Sequence, residues 1–68
     1  MNTTELKKDM LDHGDTNKAL AAYLGMAEST FCSKLHEKGA AFRKSEIQAI
    51  IDRYSYTPDR IKAVFFAD

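Results

Sequence analysis

Hydrophobic residues recur along the chain at spacings of three and four, and glycine, threonine or proline interrupts them every 10 to 15 residues. This is the pattern of amphipathic α-helices, in which residues i, i+3 and i+4 share one face. No stretch alternates convincingly with the two-residue period of a β-strand. The pattern therefore predicts an all-α fold of five short helices.

Glycines and capping residues set the expected ends of the first helices. Gly14, Gly25 and Gly39 are expected to end the first three, because glycine adopts the positive φ of a helix C-terminus without strain. The expected N-caps are Thr3 or Thr4 for the first helix and Asp15 or Thr16 for the second. The third helix is expected over about residues 28–37 and the fourth over about residues 44–54.

The same spacing predicts which side chains face a common core. In chain order the inner faces carry Leu6, Met10 and Leu11; Leu20, Ala21 and Leu24; Phe31 and Leu35; Ile47, Ile50 and Ile51; and Ile61, Val64 and Phe65. Phe42 lies in an extended connection and is expected to return to the core. Thr57 followed by Pro58 is the strongest local signal, because an N-cap residue and a proline at the first helical position begin a helix.

Residues 17–36, NKALAAYLGMAESTFCSKLH, have the spacing of a helix-turn-helix unit. Two short helices that meet at a steep angle need a small residue where their axes approach, and Ala21 supplies it. The turn needs a residue that tolerates positive φ, and Gly25 follows four residues later. The second helix then keeps a small, polar outer face that can enter a major groove. That face consists of Ala27, Glu28, Ser29, Cys32, Ser33 and His36.

Length and composition limit the kind of protein. The 68 residues, 44% of them hydrophobic, have material for one ordered domain over residues 1–68. The longest apolar run, residues 19–24, is far shorter than a membrane span, and the N-terminus lacks the basic and apolar regions of a signal peptide. The single cysteine, Cys32, excludes an internal disulfide, which fits a reducing cytoplasm. We therefore expect a cytoplasmic protein with no membrane partner.

Ten basic and ten acidic residues give a net charge of zero, which by itself argues against a nucleic-acid partner. The charges are unevenly distributed, however. Residues 16–44 carry five basic and two acidic side chains, a net charge of +3, whereas residues 1–15 carry −2 and residues 45–68 carry −1. A basic middle segment suits contact with phosphates, although counts this small also fit a random scatter of surface charge.

Segment 17–36 resembles the helix-turn-helix of the phage repressor and Cro superfamily, the Xre-type regulators. The likeness continues through residues 30–35, Phe42, residues 45–51 and Phe65–Phe66, so that it covers about residues 4–66. These features are similar to small Cro-like regulators of temperate phages from Gram-positive hosts. The resemblance implies a lambda-repressor-like DNA-binding fold without a cofactor, working in a bacterial host cytoplasm.

In that family the second helix of the motif enters the major groove, and side chains near its N-terminus touch base edges. The base-facing residues that the resemblance implies are Ala27, Glu28, Ser29, Cys32, Ser33 and His36. The implied phosphate contacts are Thr16, Asn17, Lys18, Lys34, Lys38, Arg43 and Lys44. Asn17 stands where glutamine is frequent in the family. Glu28 departs from the amides or arginine common there, but its carboxylate suits the amino group of cytosine.

Simpler explanations of the same residues stay open at this point. Ala21 and Gly25 can serve helix packing and a C-cap in any helical bundle. Glu28 can be a first-turn acid that the helix dipole favours. Lys34 and Lys38 can form an ordinary solvated face of one helix.

Metal binding and catalysis are disfavoured by what the sequence lacks. Cys32 and His36 are four residues apart, as two metal ligands on one helix would be, but His13 lies on another helix and no further pair completes a set. Nothing around the same two side chains builds a pocket for a nucleophile. The chain also has no glycine-rich phosphate loop and no Gly-x-Ser-x-Gly motif. We expect no enzyme activity, no metal and no cofactor.

The expected function is regulation of transcription, with repression by occupancy of an operator in double-stranded DNA. One helix-turn-helix buries little DNA surface, so a homodimer on a pseudo-palindrome is expected. The expected dimer contact consists of Val64, Phe65 and Phe66. Neighbouring helical residues differ by about 100°, so one of the two phenylalanines is expected to face inward and the other a partner.

A protein-interaction module is the main alternative. With the same helical fold, the chain would bind a partner such as a phage repressor and modulate it. An antitoxin that binds both a toxin and its own promoter is a third possibility. The zero net charge and the acidic Glu28 on the outer face favour an interaction module over a strong DNA binder.

Overall fold

A computed structural model describes residues 1–66, and over that range it contains five α-helices and no strand. The helices are α1 (Thr3–Asp12), α2 (Asn17–Tyr23), α3 (Glu28–Leu35), α4 (Lys44–Tyr54) and α5 (Pro58–Phe65). They pack around one core within overall dimensions of 29 × 25 × 20 Å. The prediction of an all-α fold of five short helices is confirmed for this part of the chain.

Side chains from every helix form the core. Its buried members are Leu6, Met10, Leu20, Ala21, Phe31, Leu35, Ile50, Tyr54 and Val64. Phe42 returns from the connection between α3 and α4, as expected, and its ring centroid lies 5.7 Å from that of Phe31. Phe31, on α3, is the largest side chain that is fully buried.

The inner face of α1 is narrower than the sequence pattern suggests. Leu6 and Met10 lie four residues apart and both are buried, but Leu11 is 79% exposed. The expectation that Leu11 shares their face is wrong, because consecutive helical positions point about 100° apart. With α1 packed through Leu6 and Met10, Leu11 is turned to the surface.

Two helix ends also differ from expectation. The N-cap of α1 is Asn2, not Thr3 or Thr4, and its Oδ1 accepts a hydrogen bond from the Glu5 backbone N–H at 3.2 Å. α3 ends at Leu35 instead of continuing to residue 37, because Glu37 adopts a φ of +55° and so leaves the helical region. The predicted caps Thr16 on α2 and Thr57 on α5 are confirmed.

The turn between α2 and α3 is built on Gly25, whose φ is +74°. The backbone N–H of Gly25 donates to the Ala22 carbonyl, and that of Met26 donates to the Ala21 carbonyl at 3.0 Å. This pair of hydrogen bonds is a Schellman motif, which satisfies carbonyls that the helix end would otherwise leave unpaired. Ala21 is 1% exposed, so the two helices approach closely where the sequence placed a small residue.

Polar contacts connect α1 to α5 in addition to the shared core. The Asn2 backbone N–H donates to the Val64 carbonyl at 2.6 Å, which joins the beginning of α1 to the end of α5. Farther along, the guanidinium of Arg60 donates to Asp9 at 2.9 Å and to Glu5 at 3.1 Å. These charge-assisted bonds fix the two helices in an antiparallel arrangement.

A second polar cluster fixes the segment between α1 and α2 against α4. Asp15 accepts hydrogen bonds from Arg53 at 2.7 and 2.8 Å and from the Tyr54 hydroxyl at 2.6 Å. The Asp15 side chain is 8% exposed and that of Arg53 is 30% exposed. The hydrogen bonds from Arg53, against the opposing effect of burial, lower the pKa of Asp15 from 3.8 to about 2. The ionised carboxylate is therefore stabilised in the folded state.

We predict that Asp15→Asn destabilises the fold by about 2 kcal/mol at pH 7, the free energy equivalent of the pKa change. Because the pKa of Asp15 is lower in the folded state, its contribution is complete above about pH 4 and is lost as the pH falls towards 2. Urea denaturation of the wild type and the variant at several pH values measures this. The exposed acid Asp12 is the control, and Asp12→Asn is expected to change stability little. A stability gap for Asp15→Asn that is independent of pH would contradict the ionic explanation.

Candidate nucleic-acid interface

α3 is anchored to the rest of the molecule along its inner side. Phe31 and Leu35, four residues apart, are both fully buried. Burial of two side chains of this size contributes about 3–6 kcal/mol to the stability of the fold, although part of it offsets lost conformational entropy. The position of α3 is therefore set by the core, and its opposite side is left to the surface.

Polar contacts from two other helices fix α3 further. The Thr3 Oγ1 of α1 donates to the Leu35 carbonyl at 3.1 Å, at the C-terminal end of α3. On α2, the Asn17 side-chain amide lies 3.7 Å from the Cys32 sulfur, in the geometry of a weak N–H···S hydrogen bond. Both Asn17 and Cys32 are half-buried. Contacts at the middle of α3 and at its C-terminal end limit its rotation about its own axis.

The third polar contact is an ion pair between α3 and α4. The Lys34 ammonium lies 2.8 and 3.0 Å from the two carboxylate oxygens of Glu46, and the side chains are only 11% and 15% exposed. Glu46 also accepts a hydrogen bond from the Arg43 backbone N–H at 2.8 Å and so caps the beginning of α4. Burial alone would raise the pKa of Glu46, but the bonds from Arg43 and Lys34 outweigh it and lower the pKa.

The outer side of α3 carries short polar side chains. Of the residues that the sequence placed there, Ala27, Glu28, Ser29 and His36 are exposed, whereas Cys32 and Ser33 are half-buried. Thr30 is also exposed and was missed by sequence reasoning. The helical period could have identified Thr30, because Thr30 lies one turn before Ser33 on the same side of α3. Among residues 27–36, the exposed surface of the helix therefore has no long apolar side chain.

Exposed basic residues lie on the segments that flank α3. Lys18 begins α2, Lys38 follows the end of α3, and Arg43 and Lys44 stand at the start of α4; all four are exposed. Thr16 is exposed as well, with its Oγ1 engaged in capping α2 at 3.0 Å from the Ala19 nitrogen. Lys34 differs from these, because its ammonium is occupied by Glu46. Its sequence-based assignment to phosphate stays a prediction, now with a competing structural role.

Internal ion pairs change the charge that the surface presents. Over residues 1–66, side-chain ion pairs engage four acidic residues but only three basic ones. The acids are Glu5, Asp9, Asp15 and Glu46, and the bases are Lys34, Arg53 and Arg60. The net charge of zero therefore understates how basic the solvent-exposed part of the described chain is. The difference is one charge, so it weakens the composition-based objection to a polyanionic partner only slightly.

The expected dimer contact is only partly at the surface. Val64 is fully buried in the core, so its assignment to a contact with a partner is wrong. Phe65 packs against the core and is half-buried, whereas Phe66 is 67% exposed. The expectation that one of the two phenylalanines faces inward is confirmed, and the contact of the other with a partner stays a prediction.

The described part of the chain contains neither a metal-binding cluster nor a membrane-spanning helix. Among residues 1–66, no three His, Cys, Asp or Glu side chains are grouped so that they could hold a metal ion. No helix in this range has the length and apolar character needed to cross a membrane. Comparison of the chain with protein-family models, with curated proteins and with solved structures finds no match. The assignment of a function therefore depends on the geometry of α3 and its surroundings.

We predict that Lys34→Met destabilises the fold by about 2 kcal/mol, because it leaves the Glu46 carboxylate half-paired in a largely buried position. Adding Glu46→Gln to Lys34→Met is expected to cost less than the sum of the two single changes, because the second change removes the unpaired charge. Thermal and urea denaturation of the wild type, the two single variants and the double variant gives the free energies of unfolding for a double-mutant cycle. Strict additivity within about 0.3 kcal/mol would show that the pair does not couple α3 to α4.

Proposed function

We propose that this protein is a sequence-specific DNA-binding regulator that places α3 in the major groove of an operator. One observation carries the proposal: a helix held on its inner side by Phe31, Leu35 and polar contacts presents an outer side of short polar groups. An α-helix with its side chains is about 10–12 Å in diameter, and a major groove about 12 Å wide admits such a helix. The α2–turn–α3 unit acts as a helix-turn-helix in this proposal.

The proposed base contacts come from the outer side of α3, where Glu28, Ser29 and Thr30 are exposed and Ser33 is half-buried. Ser29, Thr30 and Ser33 offer hydroxyl groups that donate to or accept from base edges, and Glu28 accepts from the cytosine amino group. Glu28 also repels phosphates, so it gains specificity at a cost in affinity. The half-buried Cys32 serves mainly to position α3 through Asn17.

The proposed phosphate contacts come from the exposed cations around α3. Lys18, Lys38, Arg43 and Lys44 would neutralise backbone charge on either side of the groove, and Thr16 and Asn17 add polar contacts. Binding would work as a two-fold dimer on a pseudo-palindrome, because one small unit buries too little DNA surface for useful specificity. Occupancy of an operator near a promoter makes repression, as in phage Cro proteins, the simplest outcome.

The first experiment selects bound duplexes from a random pool at about 50 mM salt, where electrostatic attraction is strong. We expect a two-fold sequence with half-sites about one helical turn apart. A single enriched half-site would support α3 as the reader but not a pre-formed dimer. Enrichment of no sequence would overturn the proposal.

Two sets of variants separate phosphate contacts from base contacts. Arg43→Ala with Lys44→Ala is expected to weaken binding to all sequences and to reduce the salt slope by about 2, near half of an expected slope of about −4 per subunit. Ser29→Ala or Glu28→Ala is expected to change the preferred base at one position of each half-site. Titrations over a range of salt concentrations measure both effects. Lys8→Ala, an exposed lysine on α1, is the matched control and should leave the slope unchanged.

A protein-interaction module, either a repressor modulator or an antitoxin, is the second candidate. The observation that favours it is the exposure of Glu28 together with that of Phe66, an acid on the outer side of α3 and a large aromatic side chain on α5. An apolar partner interface responds little to salt, whereas DNA binding weakens steeply as salt rises. The same titrations therefore distinguish the two functions.

A further inference from the structure

A small pocket opens at the surface where the end of α3, the following connection, α4 and the end of α5 meet. Its volume is about 140 Å³. The apolar lining consists of Met1, Ala41, Phe42, Ile47 and Phe65. A cavity of about 150 Å³ with an apolar lining binds benzene. The space therefore fits one aromatic ring and little more.

The two aromatic residues of the lining are held by the core. Phe42 and Phe65 are both half-buried and both pack against the buried residues. The Phe42 ring centroid lies 5.7 Å from that of Phe31, and the Phe65 ring centroid lies 6.3 Å from that of Tyr56. The pocket is therefore formed before any ligand arrives, and a ligand does not have to order its lining.

Two charged residues, Lys34 and Glu37, also line the pocket, and they differ in how far they are paired. The Lys34 ammonium lies 2.8 and 3.0 Å from the two carboxylate oxygens of Glu46, so its charge is already balanced. Glu37 is 63% exposed, and within residues 1–66 its side chain has one ionic contact, from Oε1 to the Met1 amino group at 3.5 Å. The second oxygen of Glu37 can therefore accept a hydrogen bond from a cation in the pocket.

We propose that this pocket is a binding site for a small aromatic amine, with one ring and a primary ammonium group on an arm of one or two carbon atoms. The ring would occupy the apolar space alongside Phe42 and Phe65, since aromatic rings pack well against one another. Because Glu37 itself lines the pocket, a short arm is enough to bring the ammonium to its carboxylate. The site is separate from the outer side of α3 and goes beyond the proposed DNA binding.

The test is an NMR titration of the full, ¹⁵N-labelled chain with 2-phenylethylamine, without DNA, so that its result does not depend on operator binding. We expect saturable shifts around the pocket with a Kd of about 0.1–1 mM, which is reasonable for a ligand of this size. Nuclear Overhauser effects are expected from the ligand ring to Phe42, Ile47 and Phe65. Absence of saturable shifts up to about 10 mM, or Overhauser effects to a different surface only, would overturn the proposal.

Four related compounds test which part of the ligand is recognised. 2-Phenylethanol and phenylacetate keep the ring but lack the cation, and each is expected to bind about threefold to fivefold more weakly or less, as loss of an exposed ion pair does. Butylamine lacks the ring and should not saturate. N-acetylphenylalanine amide represents an aromatic side chain of a partner protein and should also bind more weakly than the amine. Tighter binding of any of the four would overturn the assignment to an aromatic amine.

Glu37→Gln tests the carboxylate, because it keeps the size of the side chain and removes its charge. This variant is expected to bind 2-phenylethylamine about threefold to fivefold more weakly and to bind 2-phenylethanol as the wild type does. Glu28→Gln, at an exposed acid on the outer side of α3, is the matched control and should leave both affinities unchanged. The ¹⁵N spectrum of each variant shows whether the fold is kept. Unchanged amine affinity in Glu37→Gln, or an equal loss for the alcohol, would overturn the role of Glu37.

Discussion

Burial of Phe31 and Leu35 on the inner side of α3 is the interaction on which the rest of the structure depends. The core has nine buried side chains, contributed by all five helices, and Phe31 of α3 is the largest that is fully buried. Fixing the inner side of α3 in this way also fixes which of its residues are exposed. The candidate interface is thus a direct consequence of core packing, and its residues need no contribution of their own to the stability of the fold.

A core this small leaves part of the positioning to polar contacts. Hydrophobic burial is not directional, so it holds helices together without setting their angles. Hydrogen bonds and ion pairs are directional, and here Asp15, Glu46 and Arg60 each connect elements that are distant in the sequence. These contacts also pair four acidic side chains with three basic ones. The same three residues therefore serve both the geometry and the electrostatics of the fold.

The outer side of α3 and the end of α5 are different parts of the surface. The outer side of α3 is formed by short polar groups, whereas Phe66 at the end of α5 is a large exposed aromatic side chain. Lys34 belongs to α3, pairs with Glu46 on α4 and lines a small pocket together with Phe42, Ile47 and Phe65. The ion pair that helps to orient α3 therefore lies at the edge of that pocket.

The sequence by itself determined the helical class, the number of helices and most of their bounds, because these depend on periodicity, glycines and local caps such as Thr16 and Thr57. It also determined that the outer side of α3 is short and polar, since the positions of Phe31 and Leu35 define the opposite side. Tertiary structure alone decided that Lys34 is paired with Glu46, that Leu11 is exposed and that Val64 is buried. Charge pairing and burial depend on which elements meet in space, and the rotation of each helix against its neighbours is not encoded in its own period. For the same reason the pocket that Phe42 and Phe65 line, formed by residues from five separate parts of the chain, appears only once the helices are packed.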